Sequence, residues 1–151
     1  MNSMKSSIKK MRGFTIVELL IVIIIIGILA GIVVITFSGT QAKGRDAERK
    51  TDLNGIAAKL EEHFAEKGFY PTLADINDPG YRTSDMPGLN EQALRDPKGA
   101  AATLAAGAGA NTYAYVVTPG GCDNTAGNEC ANYTLTATLE GGGTFVKQSS
   151  N

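Results

Sequence analysis

Residues 9–37 read KKMRGFTIVELLIVIIIIGILAGIVVITF, a basic lead followed by an almost unbroken apolar run from Phe14 to Phe37. Thr15, Thr36, the glycines and a single charge, Glu18, are its interruptions. About 24 residues at a rise of about 1.5 Å make a helix of about 36 Å, enough to cross a hydrocarbon core of about 30 Å. The apolar part of a cleaved secretory signal is shorter, about 7–15 residues, and Thr40-Gln41-Ala42 is only a weak small-x-small site. Basic residues flank both ends, with Lys43, Arg45, Arg49 and Lys50 beyond the run, so charge bias leaves the orientation open. Glu18 is the residue to be explained. An ionisable group at the centre of a span costs about 2.5–3.5 kcal/mol, so it calls for a partner.

The whole chain bounds the remainder. Its 151 residues are 43% hydrophobic and 19% charged, which suits one modest domain beside the apolar segment. Lys5, Lys9, Lys10 and Arg12, four of the 14 basic residues, precede Phe14; the ten left face 15 acidic residues, a net charge of −5. An acidic remainder argues against nucleic-acid binding as a main task. Cys122 and Cys130, beside a segment of this kind, favour a disulfide in an oxidising compartment.

The residues Lys10-Met11-Arg12-Gly13-Phe14-Thr15-Ile16-Val17-Glu18-Leu19-Leu20 resemble the leader and processing site of type IV pilins and type II secretion pseudopilins. The motif covers about the first third of the chain. Gly68-Phe69-Tyr70-Pro71 and Asp96-Pro97-Lys98-Gly99 are smaller phrases of the same likeness. The resemblance implies a prepilin peptidase that cuts between Gly13 and Phe14 and methylates the new amine of Phe14. Residues 1–13 are then a removed leader, 14–37 the transmembrane and filament-core half of a helix, and 38–151 an amphipathic half-helix plus head. The freed amine would lie about one helical turn from Glu18, and the family's behaviour implies that Glu18 meets the amine of a neighbouring subunit. Glu18 is thus expected to be an assembly residue.

The implied partners are the peptidase, other copies of the chain or related pilins in a helical filament, inner-membrane assembly machinery, and the bilayer before assembly. The implied location is the cytoplasmic membrane, single-pass, and afterwards a pilus at the cell surface or a periplasmic pseudopilus. Those two alternatives stay open in the sequence. A third is a membrane-anchored binding module that does not polymerise.

Beyond the apolar run, Ala42, Ala47, Leu53, Ile56, Ala57, Leu60 and Phe64 recur mostly at spacings of three, four or seven. Arg49, Lys50, Lys59, Glu62 and Glu66 fall largely elsewhere, so residues 41–67 read as an amphipathic helix. A bend is expected near Gly39 to Gly44, a C-cap at Gly68 and a stop at Pro71. Residues 70–110 read as a loop with one helical turn around Asn90 to Leu94, and Ala100 to Ala110 has the composition of a mobile stretch. Strands are expected over Thr112 to Thr118, Asn132 to Leu139 and Thr144 to Lys147, with Glu140-Gly141-Gly142-Gly143 as a hairpin. The expected fold is α+β: a long N-terminal helix, half transmembrane and half amphipathic, packed against a C-terminal antiparallel β-meander, the pilin fold.

No constellation of catalytic residues emerges. His63 is the single histidine and reads as a partly exposed helix residue beside Glu62. Asp75, Asp78, Asp85 and Asp96, or Asp123, Asn124, Asn128 and Glu129, could supply oxygens to calcium, but scattered loop acids are usually solvated. No cofactor, metal or enzymatic activity is expected. Cys122 and Cys130 lie between two predicted antiparallel strands, whose ends already approach each other, so the pair is expected to close a disulfide.

Overall fold

The computed structural model describes residues 13–150, apart from the side chains of 34–38; all of the expected leader 1–13 except Gly13 lies outside the described residues. A single helix, α1 (Ile16–Lys67), occupies the first part and passes through Gly39, Gly44 and Gly55 without losing helical structure. Gly68 ends it at φ 84°, a left-handed conformation that glycine adopts freely, and its N–H reaches the Phe64 carbonyl at 2.8 Å. The chain divides into two compact units at Gly39 and Thr40.

The second unit is the head. Two short helices follow α1: α2 (Leu73–Asn77) and α3 (Pro79–Asp85), then a 3₁₀ turn (Glu91–Leu94). The long loop expected over this region is therefore corrected, except for its turn near Asn90. Both helices are too short for their periodicity to show, and caps hold them instead. Thr72 and Asp75 form a reciprocal capping box on α2. Asp78 accepts from the N–H groups of Gly80 and Tyr81 at the start of α3, where Pro79 has no N–H that would need an acceptor.

Three strands complete the head: β1 (Tyr113–Thr118), β2 (Asn132–Thr138) and β3 (Thr144–Gln148), antiparallel in the order β1-β2-β3. The architecture is α+β, consistent with a pilin fold. Alternation along β2 buries Tyr133, Leu135 and Ala137 on one face and leaves the threonines between them half-buried. These residues, with Tyr113 and Tyr115, pack on Leu53, Ile56, Ala57 and Leu60 of α1. Burial of a side chain such as Ile56 contributes about 1.5–3 kcal/mol.

Three details depart from the sequence reading. Ala47, placed on the apolar stripe, is exposed, while Arg49, placed on the polar side, is buried. Ala114 is buried on the outward side of β1 as well. The reason for the last is that Ala105 pairs with Ala114 as an extra parallel bridge, bonded to both Tyr113 and Tyr115, and Leu104 enters the core. The alanine-rich stretch is thus fixed at its centre.

Candidate assembly interface

The apolar part of α1 has the composition to cross a membrane over Ile16–Val33, and none of that stretch is buried within the chain. Its large side chains from Phe14 to Val33 are 50–89% exposed all round. A helix apolar on every side needs an apolar surrounding, either lipid or other helices.

At its start, Gly13 is exposed, and a Cβ there would meet nothing within 4 Å. Phe14 is exposed too. Glu18 Oε2 accepts from the Thr15 backbone N–H at 2.9 Å and from the Thr15 hydroxyl at 2.8 Å, while the Glu18 N–H reaches Thr15 Oγ1 at 3.2 Å. This is a capping box, and it satisfies N–H groups that the first helical turn leaves open. The sequence signal for it, threonine and glutamate three apart before an apolar run, is overlooked once Glu18 is read only as a buried charge. The carboxylate consequently sits one residue along the backbone from the nitrogen of Phe14.

In the head, a charged cluster ties α1 to two loops. Arg49 Nε and Nη2 donate to the two Asp96 oxygens at 2.7 and 3.0 Å, and Nη1 donates to Asp46 at 2.8 Å and to Glu140 at 3.1 Å. Arg45 grips Glu140 by its fork, at 2.6 and 2.7 Å. The Glu140 and Gly141 N–H groups close on Asp46, both at 2.9 Å. The Arg45 hydrogen bonds, chief among the causes, hold the Glu140 carboxyl down to about 2 against the effect of burial. Burial acts to raise Asp96, but the Arg49 guanidinium and the Lys98 N–H outweigh it and hold it below the usual range.

The two short family-like phrases find physical roles here. Asp96 is the buried partner of Arg49, and Lys98 binds Asp96 through its N–H and Glu140 through its ammonium. Gly99 is required because a Cβ would lie 2.6 Å from the Asn111 carbonyl. In the other phrase, Gly68 caps α1, Tyr70 stacks on Phe64 and meets Tyr133 edge-on, and the Pro71 carbonyl accepts from Tyr115 at 2.7 Å.

His63 is corrected from partly exposed to 2% exposed. Its Nδ1 lies 3.0 Å from the Phe69 carbonyl, which accepts only, so Nδ1 carries the proton. Nε2 then accepts from the Tyr81 hydroxyl at 2.9 Å. Nothing in a lone histidine forecasts partners at Phe69 and Tyr81.

The remaining residues singled out in sequence are dispersed. Asp75 and Asp78 cap helices, Asp85 pairs with Lys67 at 2.9 Å, and Asp96 is taken by Arg49. Asp123 accepts from Thr125 and Asn128, Glu129 from the Gly127 N–H, and Asn124 bridges the Tyr70 carbonyl and the Cys130 N–H. Among the described residues no group of three or more histidine, cysteine or acidic side chains gathers as a metal site. Cys122 and Cys130 are joined by a disulfide, with Cα atoms 5.2 Å apart, closing the β1–β2 connection.

Comparison with known proteins finds a family motif at the amino terminus and several named relatives. Residues 8–34 match the prokaryotic N-terminal methylation motif. The chain is 39% identical over 85 residues to the type IV major pilin protein PilA of Myxococcus xanthus, which is 51% of this chain and 39% of that one. It is 36% identical over 67 residues to the type II secretion system core protein G of Vibrio cholerae, 42% of this chain and 46% of that one. It is 37% identical over 60 residues to the fimbrial protein EcpC of Eikenella corrodens, 40% of this chain and 39% of that one. The chain thus spans less than half the length of these curated relatives. No solved structure matches it.

Proposed function

We propose that this chain, whose amino-terminal segment is that of the type IV pilin and type II secretion pseudopilin family, is a structural subunit of a type IV pilus-like filament. The observation that carries the reading is a capped helix, apolar on every side and unburied by its own chain, that opens with Phe14, Thr15 and Glu18 inside a methylation motif. A prepilin peptidase cuts between Gly13 and Phe14 and methylates the Phe14 amine. Before assembly the helix resides in the cytoplasmic membrane. During assembly it leaves lipid for the helices of other copies or related pilins, and Glu18 takes the Phe14 amine of a neighbour. Residues 38–151 form the solvent-facing part, and membrane assembly machinery is the other partner.

A pseudopilin of a secretion or DNA-uptake system is the second reading. Similarity to type II secretion core protein G and the Gly68–Pro71 and Asp96–Gly99 phrases favour it. The disulfide-closed loop favours the pilus. Mass spectrometry of the mature amino terminus tests the shared core of both readings: it should find N-methylated Phe14. A chain that retains residues 1–13 in the membrane fraction overturns it. Recovery of the chain in sheared surface filaments then separates pilus from pseudopilus.

A further inference from the structure

Arg82 is a cation buried without a counter-ion. It lies in α3, is only 6% exposed, and donates from Nη1 to the Ile76 carbonyl at 2.8 Å, near the end of α2. A guanidinium carries five N–H donors, and this bond uses one. Among the described residues no carboxylate forms an ion pair with it, in contrast to Arg45 and Arg49. Among the described residues no fully buried side-chain nitrogen lacks a partner, so the Arg82 nitrogens without one each keep some contact with solvent. Arg82 lines a cleft of about 360 Å³ together with Pro79, Thr83, Pro87, Gly88, Leu89 and Glu91. The Thr83 hydroxyl is spent on the Pro79 carbonyl. Glu91 lines the cleft but does not reach the guanidinium within ion-pair distance.

The guanidinium keeps little water and has no carboxylate within ion-pair distance among the described residues, and the planar fork of arginine is matched by a carboxylate. The proline and leucine walls suit a short apolar stem behind that carboxylate. We propose that this cleft is a carboxylate-binding site in which Arg82 takes the anion by its free fork while Pro79, Pro87 and Leu89 hold the stem. The carboxylate has two possible sources with one chemistry: a free short-chain acid, or an aspartate or glutamate of a second copy of this chain. The acidic balance of the chain beyond Phe14 makes such side chains plentiful. Only the second source rests on the filament reading.

Modification of arginines by phenylglyoxal, followed by peptide mass spectrometry, tests the site on the full chain in detergent and on assembled filaments. Arg95 is an exposed internal control, and Arg45 and Arg49 are paired ones. In detergent, Arg82 should react. Butyrate at about four times its Kd should slow that reaction about fivefold, the free fraction being the inverse of one plus ligand over Kd. Arg95 should be unaffected, and sodium chloride at equal ionic strength should not reproduce the protection. Glu91→Gln, which removes the nearby negative charge, should tighten butyrate protection without altering the fold. Protection in filaments without added acid assigns the site to a neighbour's side chain; protection by butyrate alone assigns it to a free acid. An Arg82 that does not react in detergent, or that chloride protects equally, overturns the proposal.

Discussion

Removing the guanidinium of Arg49 should unfold the head far more readily than its helical position suggests. The Arg49 side chain is 1% exposed and that of Asp96 2%, so the pair sits in the interior. In Arg49→Met the Asp96 carboxylate keeps only the Lys98 N–H, at 2.9 Å, and Asp46 keeps two backbone donors. Breaking a buried pair from one side costs about 3–5 kcal/mol, because the other charge is left without compensation. A domain of this kind has about 5–15 kcal/mol in total. The double variant Arg49→Met with Asp96→Leu removes both charges and should recover part of that loss, giving a coupling of about 2–3 kcal/mol in a double-mutant cycle. Urea unfolding of the detergent-solubilised chain, followed by the near-ultraviolet signal of the buried tyrosines, measures all four corners. If Arg49→Met costs less than about 1 kcal/mol, the magnitude of an exposed pair, the cluster does not anchor the head and the reasoning fails.

Acid should loosen the same cluster. The Glu140 carboxyl is lowered from its ordinary 4.5 to about 2, so the stability it contributes is present above the unfolded value and is lost as pH falls through the folded one. Tm should therefore fall between about pH 5 and about pH 2, and Glu140→Gln should flatten that slope; an unchanged slope in the variant excludes Glu140 as a source. Reduction of Cys122–Cys130, eight residues apart, should cost about 2.5 kcal/mol in the chain-entropy treatment, read as a lower urea midpoint, and no midpoint change refutes it. A Cβ at Gly13 meets nothing within 4 Å among the described residues, so an uncut precursor in Gly13→Leu reports on the peptidase; normal trimming refutes the assignment of the site. Glu18→Ala should yield processed subunits with a normal urea midpoint and few filaments in sheared fractions, whereas normal filament yield removes Glu18 from assembly.

The long-range plan of the chain is legible because it is written in long patterns. An unbroken apolar run needs an apolar surrounding, and β2 alternates over its whole length. What escapes is written in single residues whose partners are far away in sequence. Arg49 looks like a solvated helix charge until Asp96, 47 residues on, folds against it. His63 looks exposed until Tyr81 arrives 18 residues later. Leu104 and Ala105 lie in an alanine-rich stretch of low complexity, yet Asn77 holds both the N–H and the carbonyl of Leu104 with its side chain. The helices α2 and α3 do carry local signals, Thr72 with Asp75 and Asp78 before Pro79, but five and seven residues give no period to support them.

Glu18 has an observed role as a cap and a proposed one in assembly, and a substitution there changes both. As the third residue of the capping box it accepts from Thr15, and loss of such a cap costs about 0.5–2 kcal/mol at the helix start. As an anion it can also attract the amine of Phe14. A hydrogen bond to a charged donor is worth about 1.5–3 kcal/mol against about 0.5–1.5 for a neutral one, so an amine that approaches can displace the Thr15 hydroxyl. Alanine at position 18 removes cap and charge together and does not say which matters. Glutamine retains a capping-box acceptor and loses the charge. Filament loss in Glu18→Gln therefore places the requirement on the ion pair, and normal filaments in Glu18→Gln beside loss in Glu18→Ala place it on the cap.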